Sequence, residues 1–172
     1  MKIFLVGLPG SGKTTLGKEL AKSLKLPFID LDLEIEKTEG STIPKIFKQK
    51  KEDYFRKVES RELKKWCAEP YDFVMATGGG VPVYFDNIDH MNQSGKSIFL
   101  DVPASEISKR IVNENISDRP LFAKAHPESI KDHVEFMRSH RLPFYKKAHY
   151  TLSGTTISAD ELLKVLKTEI RG

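Results

Sequence analysis

The sequence predicts an α/β domain in three layers, a parallel sheet with helices on both faces. Two observations predict it. Short apolar runs recur along the chain, the first of them, Lys2–Val6, ended by glycine. Between them stand longer segments whose apolar residues return every three or four positions, as a helix requires. Strands alternating with helices along a chain argue for parallel strands joined by helical crossovers.

Taken in order, Lys2–Val6 is a buried strand and Thr14–Lys25 a helix with Leu16, Leu20 and Leu24 on one face. Pro27–Asp30 is a second strand. Leu33–Glu39 is a helix stopped by Gly40, a suitable residue just past a helix end. Ser41 or Thr42 caps a short helix through Ile46 and Phe47, and Glu52–Ala68 is a longer one with Phe55, Val58, Leu63 and Trp66 inward. Phe73–Ala76, Lys96–Asp101 and Tyr150–Leu152 complete five strands. Ala104–Val112 and Ala159–Ile170 are helical, as is the segment opened by Pro127, which Pro143 kinks or ends. Asn113–His126 has no periodicity and is long for a connection, which points to function.

With 172 residues, 39% hydrophobic and 30% charged, the chain suits one domain over residues 1–172. Cys67 is the only cysteine, which excludes an intrachain disulfide; a buried apolar role is expected for it. The first apolar run is too short for a signal-peptide core, and no run approaches a membrane span, so the cytoplasm is the expected compartment and no membrane partner is expected. The net charge of +4 comes from basic residues interleaved with acids, without an aromatic-basic stripe. Nucleic acid is therefore not the expected partner; a site for two small anions explains the same excess.

The strongest signal is Gly7-Leu8-Pro9-Gly10-Ser11-Gly12-Lys13-Thr14, a G-x-x-x-x-G-K-[ST] phosphate loop between a strand and a helix. Its glycines let backbone N–H groups wrap a phosphate, and the following helix turns its positive end to the same anion. Lys13 is expected to bridge the β- and γ-phosphates of ATP from the loop surface, outside the core, and the Thr14 hydroxyl to ligate Mg²⁺. Gly10, Ser11, Gly12, Lys13, Thr14 and Thr15 are the expected nucleotide contacts of the loop.

Asp30-Leu31-Asp32 follows the second strand. Residues two apart on an extended chain face the same way, so both carboxylates are expected to point into the site the loop opens. The alternative is that Asp32 caps the next helix. A carboxylate beside the acceptor repels a phosphate and takes a proton from a hydroxyl, which favours an alcohol acceptor. The third strand ends Val74-Met75-Ala76-Thr77, without the acidic residue that often holds Mg²⁺ through water, and Asp30 is the candidate for that role.

Together with Phe55-Arg56, Thr77-Gly78-Gly79-Gly80, Arg119-Pro120-Leu121 and Arg141-x-Pro-x-Tyr145, these motifs stand in the order and spacing of shikimate kinases, and the chain resembles that family from its first strand to about Tyr150. The resemblance implies a P-loop NTPase fold of the nucleoside-monophosphate-kinase type, with a five-stranded parallel sheet, a substrate-binding subdomain (about 31–60) and a lid (about 113–126). It implies transfer of phosphate from ATP, with Mg²⁺, to the 3-hydroxyl of shikimate. Asp32 then takes the acceptor hydroxyl, and Arg56 and Arg141 the acceptor carboxylate. Gly78, Gly79 and Gly80 bring backbone N–H groups against the ring, Arg119 reaches over the transferring phosphate, and Arg110 stacks on adenine. A monomer is expected, with ATP and shikimate as its partners.

Plainer readings stand beside these. Arg56 lies three residues before Glu59, the spacing of a surface ion pair on a helix. Arg110 and Arg141 are candidates for solvated charges, and the glycine run for a simple tight turn. A gluconate-type sugar-acid kinase is the runner-up enzyme, and a P-loop binding or regulatory protein without acceptor chemistry the alternative of another class.

Overall fold

The computed structural model describes residues 1–113 and 127–167. Five strands form one all-parallel sheet: β1 (Lys2–Val6), β2 (Phe28–Asp30), β3 (Phe73–Ala76), β4 (Lys96–Asp101) and β5 (Tyr150–Ser153), in the order β2-β3-β1-β4-β5. Lys2 aligns with Phe73 on one side of β1, and Ile3 with Lys96 on the other.

Both faces of the sheet are covered, which is why its central strands read as unbroken apolar runs. Alternate residues of β1 enter different cores. Ile3 and Leu5 pack with Val74, Ile98 and Leu100 against α1 (Lys13–Leu24) and α7 (Ala159–Lys167). Phe4 and Val6 pack with Met75 and Phe99 on the other face, under α2 (Leu31–Glu39), α3 (Ile43–Ala68), α4 (Asn87–Ser94), α5 (Ala104–Asn113) and α6 (Pro127–Tyr145). No helix among the described residues is long and apolar enough to cross a membrane.

The expected strands are all present, each within a residue or so of its expected limits. Other expectations change. The two helices expected around residues 43–47 and 52–68 meet directly at Lys51, where φ is 68° and ψ 173°. Thr42 precedes the first half without a side-chain cap. Ile43, Pro44 and Phe47 before the kink, and Phe55, Arg56 and Glu59 after it, line one cavity, so the bend lets α3 supply two of its walls. Glu39 braces the bend by accepting from Tyr54 Oη (2.8 Å), Lys50 Nζ (3.4 Å) and Arg61 Nη2 (3.0 Å). α6 runs past Pro143 to Tyr145 rather than breaking there. Pro143 falls in the last turn, where its missing N–H costs a single helical bond, and the Lys146 N–H still reaches the Leu142 carbonyl at 2.9 Å. α4 and a 3₁₀ turn at Val81–Val83 are additions that the periodicity did not reveal. The expected lid, Arg119 included, lies outside the described residues apart from Asn113, which ends α5.

The Lys51 backbone lies in a region that essentially only glycine populates, at a cost of about 1–3 kcal/mol. Lys51→Gly is therefore expected to stabilise the protein by about 1 kcal/mol after the extra entropy of the unfolded glycine is set against it. A rise in the urea midpoint at unchanged m-value is the expected reading. An unchanged or lower midpoint contradicts the strain.

Candidate active site

The site lies at the carboxyl ends of the central strands, where an open parallel sheet leaves a crevice. β1 runs into the phosphate loop, which bends through positive φ at Gly10 (84°) and Gly12 (94°). Gly12 precedes α1 without a capping side chain, and its carbonyl takes the first helical bond, from Leu16 N–H at 2.9 Å. The N–H groups of the first turn thus have no acceptor within the helix and suit an anion.

Lys13 departs from expectation. It is only 8% exposed and tucks back into the loop, its Nζ donating to the carbonyls of Gly7 (2.9 Å) and Leu8 (2.8 Å) and lying 3.5 Å from Ser11 Oγ. Burying an ammonium demands such oxygen partners, and the concave loop supplies them. Thr14 and Thr15 are exposed at the mouth, while Ser11 is buried beneath it.

The aspartate pair also departs from the expected geometry. Only Asp30 ends a strand. Its side chain caps α2 by accepting from the Asp32 N–H at 3.1 Å, and Asp32 is already the second helical residue. A cap, not strand alternation, brings both carboxylates into the cavity, and the expected cap at Asp32 belongs to Asp30. Thr14 Oγ1 donates to Asp30 Oδ2 at 3.3 Å. Burial pushes Asp32 up to about 6, with the charge of Asp30 adding to the effect and Lys13 and Arg56 opposing it.

Arg56 is 5% exposed, so its pairing with Glu59 is a buried one, not the surface pair its spacing allowed. Nη1 donates to Glu59 Oε2 at 3.0 Å, Nη2 to Glu52 Oε1 at 3.0 Å, and the Tyr84 ring lies 4.6 Å away. Glu59 is a member of the site that the residue pattern did not single out. Burial drives it up to about 7, Arg56 pulls it down, and Asp32 adds to the rise. A signal was present: Glu59 lies four residues after Phe55 and four before Leu63, on the inward face of α3.

The glycine run is required by space. None of Gly78, Gly79 and Gly80 has positive φ. A methyl group on Gly78 would stand 3.0 Å from Asp32 Oδ1 and 3.2 Å from Glu59 Oε1. On Gly79 it would stand 2.8 Å from Pro9 Cδ and 2.9 Å from Arg141 Nη1, and on Gly80 it would overlap the Arg56 guanidinium. The missing side chains thus make room for Asp32 and Glu59 at Gly78, Arg141 at Gly79 and Arg56 at Gly80. Arg141 Nη1 is buried with no hydrogen-bond partner among the described residues, an arrangement that suits an incoming anion. Tyr145, one turn further along α6, donates to the Gly79 carbonyl at 2.6 Å.

Arg110 is half-buried rather than a solvated charge. It pairs with Glu106 (3.0 Å) and bridges the Gly10 carbonyl (3.1 Å) to that of Thr155 (2.6 Å), tying the phosphate loop to the segment after β5. A cavity of about 730 Å³ is lined by Gly10, Gly12, Lys13, Thr14, Thr15, Asp30, Asp32, Arg56, Gly78–Gly80, Arg110 and Arg141, together with Glu59. Of the expected site residues, Ser11 lies beneath that lining and Arg119 outside the described residues. Among the described residues no cluster of three or more His, Cys, Asp or Glu is placed to hold a metal by itself. The hard oxygens of Thr14 and Asp30 instead fit Mg²⁺, which takes few protein ligands and completes its shell with water and phosphate.

Sheet order, loop and covering helices define a P-loop NTPase-fold protein, with a second, arginine-lined compartment beside the phosphate loop. The family description "Shikimate kinase" matches residues 9–171. A shikimate kinase from Phocaeicola vulgatus is 40% identical over 161 residues, which span 94% of this chain and 88% of that protein. One from Clostridium botulinum is 37% identical across 96% of this chain and 94% of its own. The crystal structure of the Bacteroides thetaiotaomicron shikimate kinase matches with a TM-score of 0.90 at 32% identity, covering 97% of this chain and 98% of that one. The Acinetobacter baumannii shikimate kinase, solved in complex with shikimate, matches with a TM-score of 0.87 at 33% identity, covering 99% and 93%. The chain belongs to the shikimate kinase family.

Proposed function

We propose that this protein transfers the γ-phosphoryl group of ATP to the 3-hydroxyl of shikimate, giving shikimate 3-phosphate and ADP on the route to chorismate and the aromatic amino acids. The observation that carries the reading is the second compartment. In a member of this family, Arg56, Arg141 and Asp32 line one cavity with the phosphate loop, two cations for a carboxylate and one base for a hydroxyl.

The roles follow from position. The loop N–H groups and Lys13 hold the phosphates, and Arg110 borders the base end of the nucleotide. Arg56 and Arg141 pair with the acceptor carboxylate, for which a planar guanidinium is suited. Asp32 receives the hydroxyl proton as the acceptor oxygen bonds to the γ-phosphorus and the bond from that phosphorus to the β–γ bridging oxygen breaks. Thr14, directly, and Asp30, through water, would hold Mg²⁺, which when bound offsets the phosphate charge. Residues 31–60 form the acceptor-binding region. Arg119 keeps its expected place over the transferring phosphate on the strength of the sequence motif alone. One chain supplies every residue this reading needs, in keeping with a cytoplasmic monomer whose partners are its two small substrates.

ADP release measured with a panel of acceptors tests the reading. Strong stimulation by shikimate and none by gluconate is expected; the reverse would assign the protein to sugar-acid kinases. Arg56→Lys is expected to raise KM for shikimate by about tenfold or more while KM for ATP stays within about twofold, because an ammonium cannot replace the two-pronged contact. Equal KM values for shikimate in the two proteins would leave Arg56 only its partnership with Glu59.

A further inference from the structure

We propose that Tyr145 is a positioning residue for the acceptor: its phenol pins the Gly79 carbonyl and so sets where the glycine turn stands against Arg141. The inference rests on the acceptor reading above and concerns a residue outside the cavity lining.

α6 carries Arg141 and Tyr145 four residues apart, hence on the same face, and both reach Gly79. Tyr145 Oη donates to the Gly79 carbonyl at 2.6 Å, while Arg141 Nη1 stands 2.9 Å from where a Gly79 methyl would project. Pro9 of the phosphate loop closes to 2.8 Å of the same point. The turn is therefore in close contact with both α6 and the nucleotide loop. The tyrosine cannot drift. It is fully buried, and its ring packs on Phe99 with centroids 5.0 Å apart.

The peptide geometry says what the tether achieves. No peptide bond here is cis, and in a planar trans unit the carbonyl of Gly79 and the N–H of Gly80 point in opposite directions. Holding the oxygen toward Tyr145, away from the cavity that Gly79 and Gly80 line, turns the Gly80 N–H toward it. Released, the peptide is free to swing its carbonyl oxygen into the cavity, where its partial negative charge would oppose an acceptor carboxylate held by Arg141. The burial that pushes the Tyr145 phenol up to about 12 keeps it a donor at any working pH.

Tyr145→Phe keeps the ring and removes the tether. The expected result is a rise in KM for shikimate of about five- to tenfold with KM for ATP within about twofold, in a protein that still melts cooperatively. Amide exchange of Val81 and Val83, which close the turn onto Gly78 and Gly80, is expected to quicken by about tenfold while α1 amides keep their rates. An unchanged KM for shikimate overturns the proposal, as does a parallel rise in both KM values or loss of the cooperative melt, which would make the bond a support of the fold. A wild-type protein that fails to phosphorylate shikimate would refute the acceptor reading alone. The exchange comparison still decides the tether in that case, and equal rates at Val81 and Val83 overturn it.

Discussion

Asp32→Asn is expected to lower kcat by about a thousandfold while making the folded protein more stable. The carboxylate faces Gly78 and Arg56 in the arginine-lined compartment, and an amide of the same shape keeps the packing but cannot take a proton. Burial and the neighbouring Asp30 hold the group at about 6, above its ordinary 3.8. A carboxyl raised in the folded state contributes stability that is fully present below its unfolded value and lost as pH rises through the folded one. At about pH 7.5 the wild-type protein has therefore lost that contribution, and the uncharged amide escapes the loss. The gain is about 1–2 kcal/mol, less than the whole shift would give because one side of the carboxyl opens on solvent. Urea titrations should show the advantage of the variant growing between about pH 4 and pH 7 and then levelling off. A kcat within about tenfold of wild type would remove Asp32 from the chemistry.

Lys13→Ala is the second large effect, a fall in kcat of about a thousandfold or more in a protein that keeps its fold. The ammonium contributes in two ways. In the proposed reaction it is the cation beside the phosphates, and its charge is one of the two that hold Asp32 down against burial. Its loss therefore also moves the acidic limb of the pH–rate profile to higher pH. The fold survives because Lys13 itself lines the cavity, so its truncation lets water in to take over the bonds that Nζ now makes to the Gly7 and Leu8 carbonyls. Circular dichroism and the melting curve should change little. A folded variant with near-normal kcat contradicts the phosphate role.

The sheet was legible in the sequence because both of its faces are buried. Every residue of Ile3–Val6 must then be apolar, and such a run stands out from the periodic helices. Site residues were legible as types rather than as geometry. The Asp30/Asp32 spacing looks the same whether the chain stays extended or turns into a helix between them, and the cap decided the matter. The glycine run reads as a turn, yet its demand is for space beside Asp32, Arg141 and Arg56, which lie far from it in sequence. Glu59 and Tyr145 share that limit, since a carboxylate on a charged helix and an aromatic near a helix end have ordinary explanations until the fold gives them partners. Asn87–Ser94 carries only Ile88 and Met91 as buried apolar anchors, too few to display a helical period. The Lys51 kink leaves no mark, because nothing in a lysine announces the backbone of a glycine.

The most direct test of the central claim is phosphorus NMR of the product formed from ATP, Mg²⁺ and shikimate. One new monoester resonance, coupled to the proton on C3 of the ring and growing in step with ADP, is the expected result. Inorganic phosphate appearing with ADP at the same rate whether or not shikimate is present would contradict it.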